Sequence, residues 1–526
     1  MNGLDAAGYA CLAPAAGLGG LRWLRVAQRE HYVAGSVTRF AWRWWGRVPG
    51  NAALGVAGVA GAAATGTWRW PALVTAAAVA VGPLGLGLRG RTGRLRWTRR
   101  CGVLAVASAV LAATVVVAVA LGVGEGAGLV AAATLAAAVP LVVDAGLLAL
   151  EPVEDRVAGR YVERARARLQ RVRPSVVAIT GSYGKTTTKG YVAHLLDARF
   201  QVLASPRSFN NRGGLSRTVN ELLVPGTEVL VAEMGTYGPG EIRALCSWMP
   251  PRVAVLTAVG PVHLERFRRI EAILEAKAEI TERAEVVVCN ADDERLAGLA
   301  DRLEADGRAV VRCSAGGPGR AGAEVLVEEG TTAGTVAVTV RSVRSGEVPL
   351  AAGVTPGTRS NVACALGAVL ALGVDPAAVL DRLADLPGAD NRLEAGRSER
   401  GVAVLDDTFN SNPAGARVAL AALAAAGGGG RRVVVTPGMI ELGPLQAREN
   451  AAFGRAAGEV ASDVVVVGRT NRRALLEGLS AAQAAGEGAA QARVVRRREE
   501  AVAWVRATLG PGDAVLYEND LPDHFP

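Results

Sequence analysis

Lysine is nearly absent from this chain. Of 58 basic residues, only Lys185, Lys189 and Lys277 are lysine, and the rest are arginine. So strong a bias keeps lysine where arginine would fail, because the two are not interchangeable at phosphate-binding or covalently modified positions. Each of the three is therefore a candidate for chemistry. Cysteine is sparse and scattered, at 11, 101, 246, 289, 313 and 364, with no CxxC pair. That excludes a zinc ribbon and a dithiol redox motif and leaves buried, reduced thiols in a cytoplasmic setting. Aromatics make up 4% of the chain, so its 50% hydrophobic content is mostly alanine, valine and leucine. Acid is scarce at the N-terminus: thirteen arginines in residues 1–150 stand against Asp5, Glu30, Glu125 and Asp144, which accounts for the whole +9 net charge. A basic excess confined to one region and flanking apolar runs points to a membrane and away from nucleic acid.

Residues 1–150 read as a membrane region of about four transmembrane helices, near 51–66, 71–88, 102–123 and 127–150. The last two are long enough to span. A fifth stretch, 6–21, is interrupted by Pro14. The arginine clusters at 22–47 and 89–100 place two spans between them and two after them, returning the chain to the cytoplasm near 151. Trp42, Trp44, Trp45 and Trp97 stand as interfacial anchors, and Leu21–Trp45 reads as a basic helix along the inner surface. The expected location is the cytoplasmic membrane, multi-pass, with the catalytic domains cytoplasmic. Residues 151–173 are charged and helical in pattern, a linker helix.

The stretch Val176–Lys189 organises the remainder of the chain. An apolar strand (Val176–Ile179) runs into Gly181-Ser182-Tyr183-Gly184-Lys185-Thr186-Thr187, and a helix opens at Lys185. Glycines let backbone N–H groups close around anionic oxygens, and the helix start adds partial positive charge. Lys185 would reach the terminal phosphates of a nucleotide and the Thr186 hydroxyl would hold Mg²⁺. The spacing is shorter than the common form, which needs glycine where Ile179 stands.

From 174 to 392, strands alternate with helices, predicting a mostly parallel sheet. Glu233 closes one strand, a loop with His263 follows the next, and Asn290-Ala-Asp-Asp293 ends a third. These are the strand ends where open α/β sheets bind ligands. Residues 323–350 alternate polar and apolar, as in a small antiparallel subsheet. From 393 to 526 a second, Rossmann-like α/β unit is expected, without a GxGxxG.

In order along the chain stand Thr180-Gly-Ser-Tyr-Gly-Lys-Thr-Thr-Thr188, Asn210-Asn211, Ala232-Glu233-Met-Gly235, His263-Leu-Glu265 and Ala276-Lys277-Ala-Glu279. Asn290-Ala-Asp-Asp293, Asn391-Arg392-Leu393, Asp406-Asp407-Thr-Phe-Asn410-Ser-Asn412-Pro413 and Met439-Ile-Glu441-Leu-Gly443 follow. This set resembles the Mur ligase family, most of all its UDP-N-acetylmuramoyl-tripeptide:D-alanyl-D-alanine ligase branch, over roughly 174–526. The resemblance implies an ATP-dependent ligase joining a carboxylate to an amine through an acyl phosphate. It implies ATP on Gly181, Ser182, Tyr183, Gly184, Lys185, Thr186 and Thr187, with Asn290 and Asp293 near the adenine. Arg392 and Asp407 would close on ATP from the domain junction and the C-terminal domain. One Mg²⁺ would sit on Thr186 and Glu233, and a second on His263 and a carbamylated Lys277. Lys185, Lys277, His263 and Glu233 would thus form the catalytic set.

Three departures matter. The membrane region replaces the family's UDP-binding domain, so the carboxylate substrate could be a peptide or lipid-linked precursor of the cell envelope. Phe409 and Gly438 stand where that branch has tyrosine and aspartate. Glu518-Asn-Asp-Leu-Pro-Asp523 replaces a basic Lys-Gly-Ser-Arg. Competing readings are a membrane ATPase coupled to transport, an amide ligase of specialised metabolism, and a nucleotide-binding scaffold without catalysis.

Overall fold

The computed structural model describes every residue except 1, 2, 48, 49, 91, 92, 208, 352, 353, 355–357, 389–393, 409, 410, 427, 428 and 522–526. The described chain forms two units, one ending at Ala158 and the other running Gly159–Asp520.

The first unit holds helices α1 (Gly3–Arg29), α2 (Ser36–Arg47), α3 (Asn51–Ala64), α4 (Pro71–Val81), α5 (Arg99–Gly122) and α6 (Glu125–Ala137). It also holds a short hairpin of β1 (Arg89–Gly90) and β2 (Gly93–Arg94), and the start of α7 (Val139–Val172). Among the described residues only α5 is by itself long and apolar enough to cross a bilayer. Helices α6 and α7 pass as a pair, but they are bent by 86° at their junction. The expected span 127–150 is therefore broken, because Pro140 in the first turn of α7 offers no N–H to carry the α6 ladder onward. Helices α3 and α4 hold 14 and 11 residues, or about 21 and 16 Å against a hydrocarbon core of roughly 30 Å. The stretch 71–88 stops early because Gly82, which precedes Pro83, turns extended at ψ 163°. The stretch 6–21 is absorbed into the 27-residue α1 despite Pro14. Leu21–Trp45 is not one surface helix: α1 ends at Arg29, and α2 starts after a turn in which His31 and Tyr32 take positive φ.

Helix α5 is only 11% buried over its apolar window. It exposes Val103, Val106, Val110 and Val117, and Trp42, Trp68, Trp70 and Trp97 are exposed nearby in the sequence. Apolar surface on this scale marks an interaction face. Asp144 is buried and accepts the Val37 and Thr38 amides at 3.3 and 2.8 Å and the Thr38 hydroxyl at 2.6 Å. It caps the start of α2, where a carboxylate is favoured by the helix dipole.

In the second unit, the end of α7 leads into β3 (Ser175–Thr180), α8 (Lys185–Leu196), β4 (Val202–Ala204), α9 (Arg212–Leu222), β5 (Val229–Glu233) and α10 (Glu241–Trp248). Then come β6 (Val253–Leu256), α11 (Leu264–Phe267), α12 (Ile270–Ala278), β7 (Val286–Asn290), α13 (Glu294–Ala305) and β8 (Ala309–Ser314). Strands β9 (Val325–Glu329), β10 (Thr335–Val340) and β11 (Val343–Pro349) precede α14 (Arg359–Ala371). Among the described residues, nine strands form one sheet in the order β11-β10-β9-β8-β7-β6-β3-β5-β4. Its strands pair parallel except that β10 runs antiparallel to β9 and β11. The expected antiparallel subsheet is β9-β10-β11, and it is joined to the main sheet through β9, which pairs parallel with β8. Side chains alternate across β3. Val176 and Ala178 pack with α9, α10, α12 and α13, while Val177 and Ile179 pack with α8 and α14. Burial on both faces explains why this strand reads as one continuous apolar run.

The last part of this unit comprises β12 (Glu394–Arg397), β13 (Ala403–Asp407), α15 (Pro413–Ala426), β14 (Arg432–Thr436), α16 (Gln446–Val460) and β15 (Asp463–Val467). It ends with α17 (Arg472–Ala484), β16 (Gln491–Val495), α18 (Arg498–Thr508) and β17 (Ala514–Glu518). The sheet order is β12-β13-β17-β14-β15-β16, parallel apart from β12.

Candidate active site

The sheet order β7-β6-β3-β5 sets four strand ends side by side, and the loops leaving them meet. At the tip of β3 the chain turns through Gly184 at φ 77°, a left-handed conformation in which a Cβ would strike the Asn361 side chain at the start of α14. Lys185 opens α8, and its ammonium folds back onto the Gly181 carbonyl at 2.7 Å. The loop is sewn to the one leaving β6. The Ser182 hydroxyl donates to the Gly260 carbonyl at 3.1 Å and accepts the Gly260 amide at 3.0 Å. The Thr257 hydroxyl donates to the Thr180 carbonyl at 3.2 Å and to that of Tyr183. Tyr183 lies against Gly260 and is largely buried, which pushes its phenol above the ordinary range. Thr187 is buried in the first turn of α8.

Glu233 ends β5 with its side chain fully enclosed. Its oxygens accept the Thr186 hydroxyl at 2.8 Å and the Asn210 amide at 3.0 Å, and the Lys189 ammonium stands 3.6 Å away. A buried carboxylate is tolerable when paired and hydrogen-bonded in this way. The knot joins Thr186 and Glu233, the two groups assigned to one Mg²⁺. It also gives Asn210 a place beside them, whereas Asn211 caps α9 by accepting the Gly214 amide at 2.9 Å.

Lys277, in the last turn of α12, is buried, and no carboxylate pairs with it among the described residues. Burial and the nearby positive charge of Lys185 push its amine well below the ordinary lysine range. His263 follows β6 in a left-handed conformation, φ 60°. Its Nδ1 lies 2.5 Å from a carboxylate oxygen of Glu441, a residue between β14 and α16, and its ring meets Tyr237 edge-on with centroids 4.8 Å apart. Among the described residues no three of His, Cys, Asp and Glu cluster as a ready metal cage. Thr186 with Glu233 still suits Mg²⁺, which commonly takes one or two carboxylates and completes its shell with substrate phosphates.

Asn290 and Asp293 occupy the β7 edge and are committed to the backbone. Asn290 donates to the Thr257 carbonyl at 2.9 Å. Asp293 caps α13 through the Arg295 and Leu296 amides and accepts the Val259 amide at 2.7 Å. Asp292 accepts the Ser314 hydroxyl and the Ala315 amide, each at 2.7 Å. Asp407 ends β13 in register with Glu518 of β17. Arg392 lies outside the described residues.

Three participants carry no role that the sequence alone assigns. Asn361 is a lone amide in the apolar run of α14. Glu441 sits inside the Met439–Gly443 motif. Lys189 lies one helical turn beyond Lys185.

The chain matches the model of the Mur ligase middle domain over residues 179–372 and that of the Mur ligase glutamate ligase domain over 391–517. It is 32% identical over 368 residues to the UDP-N-acetylmuramoyl-tripeptide–D-alanyl-D-alanine ligase of Mycobacterium leprae, covering 65% of this chain and 70% of that one. To the enzyme of the same name in Bacillus subtilis it is 28% identical, covering 54% and 60%. The crystal structure of the MurF ligase of Thermotoga maritima in complex with ADP superposes with a TM-score of 0.57 at 26% identity, covering 69% of this chain and 80% of that one. The chain therefore belongs to the Mur ligase family, ATP-dependent enzymes that form carbon–nitrogen bonds.

Proposed function

We propose that this protein is a membrane-anchored ligase that uses ATP to join a peptide carboxylate, free or lipid-linked, to an amine such as D-alanyl-D-alanine, in building peptidoglycan or a related envelope polymer. The observation that carries the reading is the knot of Thr186, Lys189 and Glu233 directly behind Lys185 and Gly184. It combines an anion cradle with a charge-balanced cation ligand, the two things phosphoryl transfer requires.

The carboxylate oxygen attacks the γ-phosphorus, ADP leaves, and an acyl phosphate results. The amine then attacks the acyl carbon and inorganic phosphate departs. Lys185, released from the Gly181 carbonyl, sets its charge against the phosphate oxygens, and the loop amides at 181–184 do the same. Thr186 and Glu233 would hold one Mg²⁺, and His263 and Lys277 a second; bound there, the metals supply charge neutralisation. Lys277 takes part as a carbamate, in which its nitrogen adds to the carbon of CO₂ and loses a proton. Burial and the charge of Lys185 favour the neutral, nucleophilic form of its amine, and Lys185 is the cation beside which the new negative charge would rest. A guanidinium cannot undergo this reaction, which accounts for lysine at 277 in an arginine-rich chain. The exposed apolar α5, opening at Arg99 and Arg100, supports placement in the cytoplasmic membrane with the ligase domains on the cytoplasmic side.

The test is incubation of the full chain with ATP, a UDP-muramoyl tripeptide or its lipid-linked form, and D-alanyl-D-alanine, read by mass spectrometry. The expected result is a condensation product formed in step with ADP. ATP turnover with no condensation from any of these acceptors would overturn the reading.

A further inference from the structure

Glu441 comes from the loop after β14, yet it grips a side chain of the central sheet. Its carboxylate lies 2.5 Å from His263 Nδ1, and its backbone carbonyl accepts the Glu265 amide at 3.3 Å. Glu441 and His263 both adopt left-handed backbone, at φ 64° and 60°. Non-glycine residues hold that conformation at a cost, and such strain persists where surrounding contacts fix it. Tyr237 closes one side of the imidazole, with Arg266 stacked over the tyrosine ring at 4.9 Å. The pair remains reachable, since the His263 and Glu441 side chains are 24% and 35% exposed.

A carboxylate is an acceptor only, so His263 must place a proton on Nδ1 to bond to it. In the neutral ring this leaves Nε2 as the bare lone pair, the form that ligates metals. We propose that Glu441 is a positioning residue of the ligase reaction: by accepting the Nδ1 proton across the domain junction, it sets the tautomer and orientation of His263. The ligand competence of His263 then depends on the C-terminal domain being docked. Cation binding at His263 is thereby favoured while the Glu441 contact is in place. The proposal rests on the ligase reading for its consequence, although not for its geometry.

The test combines two readouts on the intact protein. With ¹⁵N-histidine labelling, the four histidines of the chain give separable ring signals, and His263→Gln identifies the relevant one. The wild-type His263 signal should show Nδ1 protonated and Nε2 bare, and Glu441→Ala should move it toward the Nε2-protonated tautomer. In Glu441→Ala the Mg²⁺ needed for half-maximal turnover should rise roughly 10-fold or more, with kcat reduced and the KM for ATP within about twofold. Glu441→Gln, whose amide oxygen still accepts, should fall between. An Nε2-protonated His263 in the wild type, or an unchanged Mg²⁺ requirement in Glu441→Ala, would overturn the proposal. Absent ligase activity with the expected tautomer pattern would overturn the functional reading and leave the His263–Glu441 linkage standing.

Discussion

Two carboxylates end central strands in the two sheets of the ligase unit, and both are fully enclosed: Glu233 at 1% exposure and Glu518 at 0%. Their surroundings differ. Glu233 has the Lys189 ammonium, a hydroxyl and an amide. Among the described residues Glu518 has only hydroxyls, the Thr436 oxygen at 2.6 Å and that of Ser411, with Asp407 in register on the neighbouring strand. Burial and the negative charge of Asp407 push its carboxyl up to about 8, against the lowering effect of Thr436. Equal burial thus places a carboxyl group beside a cation at one edge and beside hydroxyls at the other. At Glu518 burial is the main cause, and among the described residues no cation stands by to offset it. The central edge is built to handle ionic substrates. At the C-terminal edge, Glu518 ties the loop after β13 to the end of β14.

Lys277 is the same principle with the sign reversed, a buried base without a carboxylate partner among the described residues, and it offers the largest test. Lys277→Arg installs a permanent charge that cannot be carbamylated. Turnover should fall about 10³-fold, on the scale of losing a preorganised electrostatic group, while binding of a non-hydrolysable ATP analogue is retained. Full activity in this variant would remove the carbamate and, with it, the reason for lysine at 277.

A smaller effect sharpens the other edge. The unfolded Glu518 titrates near 4.5 and the folded one near 8. The native state therefore holds an extra proton between these values, and stability falls as pH rises from about 4.5 through 8. Glu518→Gln should flatten that decline, gaining on the wild type by a few kcal/mol, on the order of 1.4 per pKa unit, as pH rises to 8. Thermal unfolding of the full chain from pH 5 to 9 measures it, and parallel profiles for the two proteins would contradict the assignment.

Legibility in the sequence divides along the same line between buried and edge positions. The strands carrying chemistry, β3, β5, β6 and β7, read as continuous apolar runs because they are buried on both faces. Strand β16 is an exposed edge with Arg493 at its centre, β12 is a charged antiparallel edge, and β4 is three residues long; none presents a period that sequence can show. The phosphate loop and Glu233 are readable as strand-end motifs. The Glu441 contact is not, because it joins residues 178 positions apart through the docking of two domains. In the first unit apolar length is visible, but Pro83 and Pro140 cut it short, and of the four expected spans one helix meets the length test alone. Asp144, the acid within the expected span 127–150, is a helix cap.

The central claim is that a carboxylate attacks ATP held at residues 181–188. Its most direct measurement is isotope transfer. With both oxygens of the substrate carboxylate labelled with ¹⁸O, an acyl phosphate route delivers one labelled oxygen into inorganic phosphate for each amide formed. Phosphate released wholly unlabelled alongside amide product would contradict it.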